Sequence, residues 1–131
     1  MRKIRRGQAM VETAIALPVV VLLAVFVING TMAAVAASNA GNAANYGARV
    51  GAVTQGGAVG AAVAAARQAL ATAPLGKYEV SAAGGGPPGS QVVVTVRWHV
   101  PNLMGPVLAL FGGGSPEFSG QAMATFRQEG W

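Results

Sequence analysis

The chain has no cysteine. That excludes disulfides and every thiolate metal site. It has one histidine, His99, with no second ligand type near it in the pattern. A solvent-side or hydrogen-bonded strand histidine is the expected reading, and no metal site follows. Charge is scarce as well, at 10% of residues, against about 25% in an ordinary soluble domain. Part of the chain is therefore expected in lipid or against other subunits. No nucleophile motif is present. The triple glycines at 84–86 and 112–114 lack the strand, helix and lysine context of a phosphate loop. Glu79, Glu117 and Glu129 stand among basic residues on candidate strands, where solvated pairs are the default. No catalytic constellation emerges, so neither an enzyme nor a cofactor is expected.

What is present is unevenly placed. The formal net charge is +5, but Arg2, Lys3, Arg5 and Arg6 all precede Gly7. Beyond Gly7 stand five basic residues (Arg49, Arg67, Lys77, Arg97, Arg127) and four acidic ones (Glu12, Glu79, Glu117, Glu129), a balance of +1. That is no nucleic-acid footprint. The basic excess is a topology signal. With 131 residues, there is room for one domain at most beside an apolar segment.

That segment is long. Ala14 to Ile28 carries no charge, Asn29-Gly30-Thr31 interrupts mildly, and Met32 to Ala37 resumes the run. As a helix at about 1.5 Å per residue, Ala14 to Ala37 would extend about 36 Å. The hydrocarbon core of a bilayer is about 30 Å thick. The run can cross with some tilt. The basic cluster before it is expected to hold the N-terminus in the cytoplasm and send the C-terminus out.

Three readings fit a basic start followed by an apolar run. The first is a cleaved secretory signal, for which Ala34-Val35-Ala36 offers a small-x-small site. The second is a plain single-pass anchor. It leaves Glu12 unexplained, because a carboxylate deep in a bilayer costs roughly 2.5 kcal/mol or more. The third makes Glu12 necessary. RRGQAMVE, residues 5–12, resembles the cleavage site of a type IV prepilin: basic leader, glycine, four residues, glutamate, apolar run. That resemblance implies a cut by prepilin peptidase between Gly7 and Gln8. Gln8 then becomes the first residue, and the apolar helix stays attached. A new ammonium at Gln8 and a carboxylate at Glu12 each need a partner in low dielectric. Glu12 of one subunit can pair with the amine of a neighbour and favour axial register.

The match narrows further. Gly7-Gln8-Ala9-Met10-Val11-Glu12 followed by Ala16-Leu17-Pro18 resembles the start of TadE-like proteins of the tight-adherence (Tad) pilus system. The final Ala124-Thr125-Phe126-Arg127-Gln128-Glu129 is similar in pattern. Where that family often has an acidic or aromatic residue after the apolar run, this chain has Asn29-Gly30-Thr31. It is also far longer than the short major pilins of these systems. The resemblance implies a minor pilin or pseudopilin. Its partners would be other pilins, the prepilin peptidase, the pilus assembly platform and membrane lipid. It would sit in the cytoplasmic membrane or enter an extracellular pilus. The alternative of a different class is a secreted or anchored extracytoplasmic binding protein unrelated to pili.

The residues after the span predict an α+β fold. One helix is expected from about Gln8 to about Val53, with small residues at spacing four (Ala36, Ala40, Ala44, Ala48, Ala52; also Ala33, Ala37, Gly41). Such stripes let helices approach closely. Gln55-Gly56-Gly57 should break it. A second helix is expected over residues 58–73, with Val59, Val63, Ala66 and Leu70 on one face and Pro74 as a stop. Three strands should follow. In the first, Tyr78, Val80 and Ala82 alternate with polar residues. After a flexible loop at 84–90, Val92, Val94, Val96, Trp98 and Val100 share one face of the second. Phe118, Ala122, Ala124 and Phe126 group on the third. The expected product is a small antiparallel three-stranded sheet with its apolar face on the helices. The division is a leader (1–7), an assembly helix (8–55) and an extracytoplasmic head (56–131). Leu103 to Phe111 is left with two readings. It covers the sheet, or it docks another pilin or the bilayer.

Overall fold

The structure, a computed structural model, describes residues 2–129, with side chains from Arg5 onward. Helix α1 runs without a break from Arg2 to Val53. The expected start near Gln8 is no break in the helix. Residues 2–6 contain neither Gly nor Pro, and a single Gly7 weakens a helix without ending it. Pro18 lies inside α1 and takes away one backbone donor, the one that would reach the Ala14 carbonyl. Thr13 and Thr31 donate their hydroxyls to the carbonyls of Ala9 and Val27, at 2.9 and 2.8 Å. Their polar groups are thus satisfied within the helix.

Gly56 and Gly57 turn the chain with φ of 73° and 72°, a left-handed conformation that glycine adopts without steric cost. Helix α2 (Ala58–Leu70) then packs back on α1. Its buried face is Ala58, Ala62, Ala65 and Ala66. Of the expected face, Ala66 is buried and Leu70 packs at the edge of the core, but Val59 and Val63 are only half-buried and alanines take their place. The reason is clearance. A Cβ on Gly47 would stand 2.6 Å from the Ala62 carbonyl oxygen and 2.9 Å from the Ala66 Cβ. At Gly51 it would stand 2.9 Å from both the Ala62 Cβ and the Val92 side chain. Helices this close admit alanine between them and exclude valine. The helix also ends at Leu70, three residues before the expected limit, well ahead of Pro74.

The remainder forms one antiparallel sheet, β1 (Lys77–Gly84), β2 (Gln91–Pro101) and β3 (Glu117–Arg127), in that spatial order. Val96 faces Val80 on β1, and Val94 faces Ala124 on β3. The alternation predicted for β2 holds, with Val92, Val94, Val96 and Val100 fully buried. Val92, Val94 and Val96 press on the alanines of α1 and α2 to form the core. Trp98 lies beside Gly120, where a Cβ would come within 2.5 Å of the indole.

The central strand β2 runs antiparallel to α1. Val92 lies against Gly51 at the far end, and Pro101 meets Asn29 at the other. Between β2 and β3 a short helix, α3 (Gly105–Ala109), forms a lobe at the Asn29 end. The reading that Leu103 to Phe111 covers the sheet is not what the structure shows. Leu103, Leu108, Leu110 and Phe111 are all exposed. Phe118 keeps its face but projects past the core, beside Phe26, Asn29 and Met104.

Candidate functional site

The first half of α1 has no cover. None of its side chains from Arg5 to Ile28 is buried. Ile15, Leu17, Leu23 and Phe26 are each about three-fifths exposed or more. The helix is long and apolar enough to cross a membrane.

The residues singled out by the sequence lie at the start of this bare surface. Arg5, Arg6, Gly7, Gln8 and Glu12 are all exposed on consecutive turns of one helix. Arg2 and Lys3 fall in the helical backbone, but their side chains lie outside the described part. Gly7 is open, with no heavy atom within 4 Å of where a Cβ would be. Gln8 and Glu12 are one turn apart and so share a face. Glu12 has no ion-pair partner among the described residues; the one such contact there joins His99 and Glu117, at 3.7 Å. At His99 a strand histidine therefore meets a strand carboxylate, both partly exposed, and no metal-binding cluster of acidic and histidine side chains occurs among the described residues.

Residues 7–49 match the family of TadE-like proteins. The match begins at Gly7 and ends inside α1, so it spans the bare half and most of the covered half. No curated protein and no solved structure matches the chain. The match covers about a third of the chain, and the helix that carries it is the one long and apolar enough to cross a membrane.

Three buried amides, Asn29, Asn102 and Gln128, hold the head together in ways the sequence does not signal. Asn29 sits at the end of the bare half of the TadE-like segment, and only 1% of it is exposed. Its Nδ2 donates to the Pro101 carbonyl at 3.0 Å, and its Oδ1 accepts from the Leu103 N–H at 2.9 Å. The sequence shows it as a mild interruption. The available signal was that an amide inside an apolar run must find partners. Gln128, 4% exposed, does the same at the opposite end. It accepts from the Gly86 N–H and donates to the Thr54 carbonyl, at 2.9 and 3.0 Å. Asn102 closes the base of the α3 lobe. It donates to the Ser115 carbonyl at 2.7 Å and accepts from the Met104 N–H at 3.0 Å.

Proposed function

We propose that this chain is a minor pilin or pseudopilin of a Tad-type pilus. It is inserted with its N-terminus in the cytoplasm and cut between Gly7 and Gln8 by a prepilin peptidase. Arg2, Lys3, Arg5 and Arg6 set the topology and are then removed. The bare helix stays in the membrane until assembly and afterwards packs against neighbouring pilins. The function is structural, and its chemistry is helix packing plus one ion pair.

The observation that carries this reading is Glu12, without an ion-pair partner among the described residues, at the threshold of an uncovered apolar helix, five residues after an open glycine. Gly7 suits the cut because a helical peptide bond must be locally unwound to be cleaved. Glycine holds a helix about 1 kcal/mol less firmly than alanine. Cleavage moves the helix start to Gln8. Glu12 then lies near the new N-terminus, where the macrodipole favours a carboxylate. The amine created at Gln8 supplies the cation that Glu12 lacks, on an adjoining subunit.

The packing argues against a secretory cut after Ala36. That cut would remove Asn29 and strip both Pro101 and Leu103 of their hydrogen bonds. It would also sever Ala36, which is fully buried. N-terminal sequencing of the protein purified from its native membrane tests the proposal. Gln8 as the first residue is the expected result. A start at Ala37 or Ser38 would instead mean a secretory signal, and an intact Met1 a plain anchor.

A further inference from the structure

We propose that the α3 lobe, residues 102–116, is a second membrane contact that inserts its apolar tip into the leaflet on the head side of the span. This rests on the reading that α1 crosses the bilayer.

Height along α1 is the first argument. Asn29 ties the lobe to the helix through Pro101 and Leu103. Counting from Glu12 as the near boundary, a core of about 30 Å takes about 20 residues. The far boundary then falls near Met32 or Ala33, so Asn29 lies inside it by about one helical turn. A lobe pinned at Asn29 is therefore level with the lipid surface.

Its chemistry matches that level. From Val100 to Pro116 there is no charged residue. The nearest ionisable groups are His99, two residues toward the head from Pro101, and Glu117, which pairs in register with Pro101 and lies 3.7 Å from His99. Leu110 and Phe111 are 83% and 85% exposed, and Leu103 and Leu108 are exposed beside them. Water offers such a surface nothing, while acyl chains accept it without any recognition chemistry.

The lobe is also built to hold that surface out. Asn102 bonds across its base to Ser115 and Met104, and its own N–H donates to the Pro116 carbonyl at 3.0 Å. The Gly113 N–H returns to the Leu108 carbonyl at 3.0 Å. The tip residues lie outside these closures and stay turned outward. Lipid is favoured over a second copy by continuity. Met104 and Phe118 border Phe26 of the bare helix around one apolar cleft, so the exposed surface of the lobe runs into the surface of the span. Two attachments, helix and lobe, fix the rotation of the head on the membrane before assembly.

The absence of native cysteine makes the test clean. Single nitroxide labels are placed through Phe111→Cys, Phe26→Cys and Gln91→Cys in the full chain, reconstituted in phosphatidylcholine–phosphatidylglycerol nanodiscs. Collision with oxygen reports lipid, and collision with a water-soluble nickel chelate reports water. The expected result groups Phe111 with Phe26. At both sites the oxygen-to-nickel ratio should exceed that at Gln91 several-fold. A water-like ratio at Phe111 with a lipid-like one at Phe26 overturns the proposal and leaves the span standing. Water-like ratios at both sites overturn the span and the lobe together. Spin–spin broadening at Phe111 that disappears on dilution with unlabelled chain, without oxygen preference, assigns the lobe to a second copy and overturns the lipid contact.

Discussion

α1 is one helix with two surfaces, and the more hydrophobic surface is the uncovered one. From Arg5 to Ile28 it displays Ile15, Leu17, Leu23 and Phe26, while from Ala36 to Ala52 it hides alanines. In a protein surrounded only by water the order would be reversed, because burial of large side chains stabilises most per residue. The inversion shows what each half is made to face. Large side chains suit a surrounding of acyl chains or of apolar helices from other subunits. Alanine and glycine suit a half that must let α2 and β2 approach its backbone. Asn29 marks the boundary, buried at 1% where the bare half gives way to the covered half.

Substitutions can break this contrast from either side. The largest effect is expected in the covered half's core. Val94→Asp would place an unpaired carboxylate where Val94 is fully buried. A loss of about 3 kcal/mol or more is expected, visible as early loss of strand signal in a thermal melt of the detergent-solubilised chain. Gly51→Val comes next. Its Cβ would meet both α2 and β2 at 2.9 Å, and overpacking of this kind costs about 1–3 kcal/mol. A melt unchanged by Gly51→Val would show that the close approach is not needed.

Asn29→Ala probes the boundary itself. It leaves the Pro101 carbonyl and the Leu103 N–H without their partner, at about 1 kcal/mol for each group left unpaired. Faster hydrogen exchange at Leu103, with slow exchange preserved at Val94, is the expected signature. The smallest effect on the fold belongs to the bare half. Leu23→Ala should leave the melt within about 0.5 kcal/mol of the parent, because Leu23 is 59% exposed and covers no part of the head. Glu12→Ala should likewise spare the melt and the proposed cut after Gly7, yet reduce pili on cells. Normal piliation from that variant would remove the register role from Glu12.

Much of the architecture was legible because it rests on local pattern. The strict alternation of Val92, Val94 and Val96 requires a one-sided strand whatever packs on it. Gly56-Gly57 ends a helix through backbone freedom alone. The bare segment was legible from length and the lack of charge. The face of α2 was not, because valine outranks alanine on any hydrophobicity scale. Only the approach of Gly47 and Gly51 decides that alanine fits. Asn29, Asn102 and Gln128 were illegible for a related reason. A side-chain amide gives no sign of which distant backbone group it meets, and three of these bonds link residues more than 70 positions apart.

The sequence by itself determined the charge asymmetry around Gly7, an apolar run long enough to cross a membrane, the glutamate at its threshold and the period of each strand. These are properties of neighbours along the chain. The tertiary structure decided which half of α1 is covered and which alanines make the contact. It also decided that the Leu103–Phe111 stretch stands clear of the sheet at the level of Asn29. Those follow from the distance between backbones, which glycine sets only once the helix and sheet meet.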